Sequence, residues 1–267
     1  MVSFADLGLS EKVLKAVEDV GYSEPTPIQE GAIPHALAGK DVLGIAQTGT
    51  GKTAAYGLPL LAQINAKKNA VQGLILCPTR ELAKQVAKQL FKFTKYTDKI
   101  FAEAVYGGEH IDRQISALQR PTHILVATPG RLIDLVKRKA VNLSAVKTVV
   151  LDEADEMLSM GFKAELDEIL SFLPSAKNKW LFSATLPQGI QDIISKHLAS
   201  NAERIKVSGD DIVNKNIAHK YVMCDDSEKL HALIQFLKSE GENRGVIFCK
   251  TKAAAKLLSK QLIAKNI

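Results

Sequence analysis

The segment TVVLDEADEML, Thr148 to Leu158, carries an apolar run straight into two adjacent carboxylates, Asp152 and Glu153, with a third at Asp155. A buried strand that delivers acids at its end can hold a divalent cation and an activated water. About a hundred residues earlier, AQTGTGKT, Ala46 to Thr53, also follows a short apolar run. Its glycines let successive N–H groups curl around a phosphate at the positive end of the following helix. Lys52 is suited to neutralise β and γ phosphates and Thr53 to place a hydroxyl on magnesium. Asp152 can reach the same ion through its waters, and Glu153 is the candidate to polarise an attacking water. Together the two segments read as a nucleoside triphosphatase. Taken singly, each has a plainer reading: a glycine turn beside a surface lysine, and acids placed at a helix N-terminus.

These residues need a scaffold, and the apolar runs supply one. Short β-rich stretches fall at 42–46, 73–78, 104–106, 123–129, 148–152, 179–185 and 204–207, separated by helical patterns such as Glu81 to Phe93 and Glu165 to Phe172. This alternation predicts an α/β fold, a parallel β-sheet with helices on both faces. Ligands of such sheets bind beyond the carboxyl ends of the strands, where TGTGKT, PTR, TPGR, DEAD and SAT all fall. The polar stretch 208–216 reads as a linker. Beyond it, 217–224 and 244–250 read as strands, and 227–239 and 251–265 as helices. The reading is thus a complete domain over 1–207 and a partial second α/β lobe over 217–267.

The chain has 267 residues, 46% hydrophobic and 24% charged, which suits a folded globular protein. A net charge of +6 favours a polyanionic partner, although scattered Lys and Arg also serve plain solubility. Cys77, Cys224 and Cys249 lack metal-ligand or redox spacing and are expected to be reduced, buried thiols. The N-terminus lacks the basic start and apolar core of a signal peptide, so the expected location is the cytoplasm, without a membrane.

The motifs together resemble the first half of a DEAD-box ATP-dependent RNA helicase. In the family's order stand Phe4, GYSEPTPIQ (21–29), AQTGTGKT (46–53), PTRELA (78–83), Gly107 with Gly108, TPGR (128–131), DEAD (152–155) and SAT (183–185). The family's phosphate loop begins with Ala, as here at Ala46. The resemblance implies a RecA-like fold, ATP and Mg2+ as ligands, and RNA held through its backbone without sequence choice. It implies that Gln29 reads the adenine edge, that Phe4 packs near the base, and that Tyr22 belongs to the same nucleotide-binding motif. The phosphate loop it implies is Ala46, Gln47, Thr48, Gly49, Thr50, Gly51, Lys52 and Thr53. Implied RNA-binding residues are Pro78, Thr79 and Arg80, then Gly107 and Gly108, then Thr128, Pro129, Gly130 and Arg131. Ser183 and Thr185 match a motif that hydrogen-bonds the acidic site and couples hydrolysis to duplex separation.

VIFCKT (246–251) resembles the first motif of the family's second RecA-like lobe. The family's later motifs, including the arginine-bearing segment that completes the ATP site, are not found before Ile267. An arginine of that kind contributes ~10³ to 10⁵ in rate. The expectation is therefore an RNA helicase lobe that binds ATP and turns it over weakly or not at all. A nucleotide-gated RNA-binding module is the alternative, and a DNA-translocating helicase with the same core is a third reading, disfavoured by the GYSEPTPIQ motif.

Overall fold

The central strands of the computed structural model are apolar on both faces. Gly73–Leu76 (β2), Ile124–Ala127 (β4) and Thr148–Asp152 (β5) are buried at every residue, as expected where helices cover a parallel sheet from both sides. The structure describes residues 2–173, 176–207, 218, 220–241 and 243–267. The expected linker at 208–216 lies outside the described residues. The chain divides into two compact units, Met1–Val213 and Asn214–Ile267.

In the first unit seven strands pair in parallel in the order β3-β4-β2-β5-β6-β1-β7. The others are Val42–Ile45 (β1), Ala102–Val105 (β3), Asn178–Ser183 (β6) and Glu203–Lys206 (β7). Each overlaps one of the runs read from the sequence. Alternate residues feed two separate cores. Ile75, Val126, Val150, Trp180 and Phe182 face one side, against residues of Glu11–Asp19 (α1), Pro27–Leu37 (α2), Lys52–Ala62 (α3) and Arg80–Phe93 (α4). Leu74, Leu76, Leu125, Val149 and Leu151 face the other, against residues of Pro129–Lys137 (α6), Ala154–Ser159 (α7), Lys163–Ser171 (α8) and Gln188–His197 (α9). Ile111–Leu118 (α5) follows β3.

Buried polar groups fix strand positions at the sheet edge. Asp41 accepts from the backbone N–H of Lys179 at 2.7 Å and of Ala199 at 2.7 Å, and the Trp180 indole donates to the Lys40 carbonyl at 3.0 Å. A satisfied buried carboxylate at this point joins β1 to β6 and to the end of α9.

The second unit contains Lys229–Glu240 (α10) and Lys252–Ile263 (α11). The strands expected at 217–224 and 244–250 are not formed among its described residues. Tyr221, Met223, Val246 and Phe248 lie exposed there, because a β segment needs a paired neighbour to close its hydrogen bonds and cover its apolar face. The cysteine expectation is also corrected: Cys77 is buried, Cys249 is intermediate and Cys224 is exposed, all three as free thiols. Among the described residues, no helix is long and apolar enough to cross a membrane.

Candidate active site and adjoining groove

β1 delivers the chain into the phosphate loop, and the ladder continues one step further, with the Ala46 N–H donating to the Ser183 carbonyl at 3.0 Å. Gly49 and Gly51 then adopt φ of +84° and +93°, a left-handed backbone that glycine enters without strain. Gly51 caps α3, so Lys52 is that helix's first residue and the loop sits on its positive end. Side chains hold the loop in place. Thr50 donates its hydroxyl to the Gln47 carbonyl at 2.7 Å, and Thr26 donates to the Thr50 carbonyl at 2.8 Å. Thr48 donates to Glu153 Oε1 at 3.0 Å, which ties the loop to the acidic turn.

Among the described residues, two atoms at the centre have no protein partner. Lys52 Nζ and Asp152 Oδ1 are both buried and unbonded, whereas Asp152 Oδ2 accepts from the Tyr56 hydroxyl at 2.7 Å. Buried polar atoms are almost always satisfied, so an orphaned ammonium and carboxylate oxygen beside a glycine loop are groups awaiting a ligand. An ammonium fits a phosphate. A carboxylate oxygen with the half-buried Thr53 hydroxyl nearby offers the hard donors that magnesium takes. Burial pushes the Asp152 carboxyl up to about 6, against the opposing pull of the Lys52 charge and the Tyr56 hydrogen bond. Burial likewise raises the Tyr56 hydroxyl, and the Cys77 thiol is raised by burial and by the Asp152 and Glu153 charges.

Glu153 occupies φ 51°, ψ 51°, a left-handed conformation that a side chain rarely adopts. Such strain is of order 1–3 kcal/mol and gathers at functional turns. Here it lets one residue end β5 and start α7. Behind the turn the SAT and DEAD segments interlock. Thr185 donates both its N–H, at 2.9 Å, and its hydroxyl, at 2.7 Å, to Asp155 Oδ2. Ser183 accepts from the Asp155 N–H at 3.2 Å and donates to the Thr185 carbonyl at 2.7 Å. Partial burial raises the Asp155 carboxyl, but the Thr185 and Ser183 hydrogen bonds outweigh it and leave the group below its ordinary value. Glu156, not singled out in the sequence, has its carboxyl raised by a hydrogen bond with Glu153 and by burial. Two cavities open on either side and share Thr48, Lys52 and Glu153: one of about 400 Å³ towards Tyr22 and Gln89, and one of about 360 Å³ towards Glu156 and Thr185.

The expected base-binding residues are placed unequally. Tyr22 lines the larger cavity, while Phe4 is buried beneath it, the two rings stacked with centroids 6.3 Å apart. Gln29 is 2% exposed, and its amide is engaged at both ends. Its Nε2 donates to the Gly51 carbonyl at 3.0 Å and its Oε1 accepts from the Thr26 N–H at 3.0 Å. Each bond uses one of two positions, so a second N–H and a second lone pair remain for a base.

The remaining motif residues follow β2, β3 and β4, which are neighbours, so Pro78–Arg80, Gly107–Gly108 and Thr128–Arg131 gather at one corner of the carboxyl edge. Pro78 and Pro129 are buried; Arg80, Gly107, Gly108 and Gly130 are exposed. Thr79 caps α4, accepting from the Leu82 N–H at 3.2 Å, and Thr128 precedes α6. Arg131 is already spoken for. It donates to Gln114 Oε1 at 2.8 Å and to the Glu109 carbonyl at 2.9 Å, bracing the glycine loop from beneath. A groove of about 550 Å³ at this corner is lined by Arg80, Lys84, Gly108, His110 and Arg113. Sequence reading missed Lys84, His110 and Arg113, as well as Tyr56. Lys84 lies four residues after Arg80, and Tyr56 four after Lys52, a helical spacing that could have flagged both.

Residues 26–193 match the family profile described as DEAD/DEAH box helicase. That span runs from Thr26 through the phosphate loop and the acidic turn to beyond Thr185. A DEAD-box ATP-dependent RNA helicase CshA of Bacillus cereus is 44% identical over 262 residues, covering 98% of this chain and 50% of the relative. The ATP-dependent RNA helicase DeaD of Klebsiella pneumoniae is 43% identical over 252 residues, covering 94% of this chain and 39% of its own length. The chain thus spans about half the length of the curated relatives it matches. A crystal structure of a DEAD box protein from the hyperthermophile Methanococcus jannaschii superposes with a TM-score of 0.74 at 38% identity, covering 99% of this chain and 70% of that one. The seven-stranded sheet is therefore RecA-like, and with its profile, relatives and fold in agreement the chain belongs to the DEAD/DEAH box helicase family.

Proposed function

We propose that this chain is the ATP-binding lobe of an RNA helicase, in which ATP hydrolysis is coupled to local unwinding or remodelling of RNA. The observation that carries the reading is the buried, unpartnered pair of Lys52 Nζ and Asp152 Oδ1 beside the Gly49 and Gly51 turn. Lys52 neutralises the β and γ phosphates while the loop amides and the α3 N-terminus hold them. Thr53 and Asp152 would hold Mg2+, which when bound offsets phosphate charge. Glu153 orients and polarises the attacking water from its strained turn. Ser183 and Thr185, bonded to Asp155, link that turn to the rest of the lobe. Tyr22 and Gln29 take the adenine side, with Phe4 supporting the Tyr22 ring. RNA lies across the corner formed by Thr79, Arg80, Gly107, Gly108 and the TPGR turn, where hydroxyls, guanidinium groups and backbone amides suit phosphate without choosing a sequence.

Residues 1–207 form this lobe, 208–216 the linker and 217–267 part of a second RecA-like lobe. The cytoplasm is the proposed location. Steady-state ATP hydrolysis, with and without single-stranded RNA and with Glu153→Gln as background, tests the assignment. Turnover above that background, raised by RNA, is expected once the second lobe is supplied. An unchanged rate in Glu153→Gln would remove Glu153 as the water-activating group. The rival binding-module reading predicts that Lys52→Ala keeps its RNA affinity at saturating ATP, whereas the helicase reading predicts that it loses the ATP-dependent part.

A further inference from the structure

A cavity of about 720 Å³ lies where the end of α4 turns towards β3, at the edge where the strands begin. It is lined by Phe91, Lys92, Lys95, Lys99 and Phe101 among others. Phe91 is 76% exposed and Phe101 45%, high values for aromatic side chains. The Phe101 ring is stacked on His123 with centroids 5.9 Å apart, which holds its plane. The two carboxylates at the rim are already matched, Asp19 by Lys95 and Asp98 by Lys12.

A line of side chains joins this cavity to the groove at the other end of the helix. Arg80, Lys84, Lys88 and Phe91 stand at i, i+4, i+8 and i+11 on α4, so they share one stripe about 16 Å long. All four are exposed. Arg80 and Lys84 line the groove, and Phe91 lines the distal cavity. Among the described residues, Lys84, Lys88, Lys92 and Lys99 make no ion pair. Arg80 is bonded to Glu81 at 2.9 Å, but like charges four residues apart disfavour a helix, so the unpaired Lys84 and Lys88 do nothing for the stability of α4 itself. Cations that can follow phosphates, ending at exposed aromatic faces that can accept bases, are the makeup of a single-strand nucleic-acid platform. An acidic peptide could also meet the lysines, but the unbroken stripe from the groove and the two flat rings favour RNA.

We infer that single-stranded RNA leaves the groove along Arg80, Lys84 and Lys88 and stacks a base in the Phe91 and Phe101 cavity. The inference rests on the proposed RNA reading of the groove. Fluorescence anisotropy of the whole chain with labelled oligouridylates of about six and about twenty nucleotides tests it. The longer RNA should bind more tightly. Phe91→Ala should weaken the longer RNA about fivefold or more, the loss of one base stack. Lys88→Gln should flatten its salt dependence by about 0.7 in the log–log slope, one single-strand phosphate contact. Neither variant should alter the shorter RNA. If the shorter RNA binds and the longer is indifferent to both changes, this path is wrong while the groove reading stands. If neither RNA binds the wild-type chain, both readings fall. A polyglutamate peptide that binds through Phe91 while the longer RNA does not would make the surface a protein-docking site and overturn the RNA path.

Discussion

Replacing Asp152 by Asn removes a charge that the nucleotide-free fold holds at a penalty. Burial moves this carboxyl from an ordinary 3.8 to about 6, despite the nearby Lys52 charge and the Tyr56 hydrogen bond. The folded chain therefore keeps its proton across a pH window in which the unfolded chain has lost it, and stability falls as pH rises through that window. Below about 3.8 both states are protonated and the penalty is absent; above about 6 it is fully present. At 1.36 kcal/mol per pKa unit the penalty is about 3 kcal/mol at neutral pH. An Asn side chain resembles the protonated acid and can still accept from the Tyr56 hydroxyl, so Asp152→Asn should recover most of that amount. For a domain of this size, a gain of about 3 kcal/mol raises the melting temperature by roughly 6–12 °C. Thermal unfolding of the nucleotide-free protein, followed by circular dichroism at pH 7.5, 5 and 4, reads it directly. The gain should be largest at pH 7.5, about half at pH 5 and nearly gone at pH 4. A variant no more stable than wild type at pH 7.5, or equally stabilised at pH 5 and 7.5, would show that ionisation of Asp152 is not what the fold resists.

Lys52→Ala should weaken binding of a fluorescent ATP analogue at least tenfold, since its buried ammonium has no other partner to serve. Gly51→Ala places a Cβ 2.3 Å from Gln29 Nε2 at a φ of +93°. It should lower stability by about 2 kcal/mol or more in chemical denaturation, with the Gln29–Gly51 hydrogen bond broken. Thr185→Val removes the 2.7 Å bond to Asp155 and lets that carboxyl rise towards its ordinary value. Because the group is held low in the fold, its contribution is present above the ordinary value and lost as pH falls through the folded one. The variant should therefore lose about 1 kcal/mol or less at neutral pH, with a smaller deficit in acid melts.

Strands such as β1, β2, β4 and β5 were legible because each is a short apolar run bounded by polar segments, the pattern a sheet covered on both faces requires, whereas the edge strand β7 alternates half-buried and exposed residues. The placement of TGTGKT and DEAD was legible for a related reason, since strand ends bring those residues to one edge whatever the strand order. Local sequence could not reveal what lies across that edge. Tyr56 meets Asp152 only because β1 and β5 flank β6, and the exact state of Gln29 depends on how α2 packs beside the Gly51 turn. Arg131, read as a phosphate ligand, is drawn into Gln114 and the Glu109 carbonyl because β3 and β4 are neighbours. The segments 217–224 and 244–250 have the composition of strands, yet their described residues form none, since a strand is completed by a partner rather than by its own residues. Sequence by itself determined the residue types, their order and the two periodicities that make strands and helices. Tertiary structure alone decided the strand order, which polar atoms were left without a partner, and how far burial moved the Asp152 proton, because those depend on groups distant in sequence meeting in a low-dielectric interior.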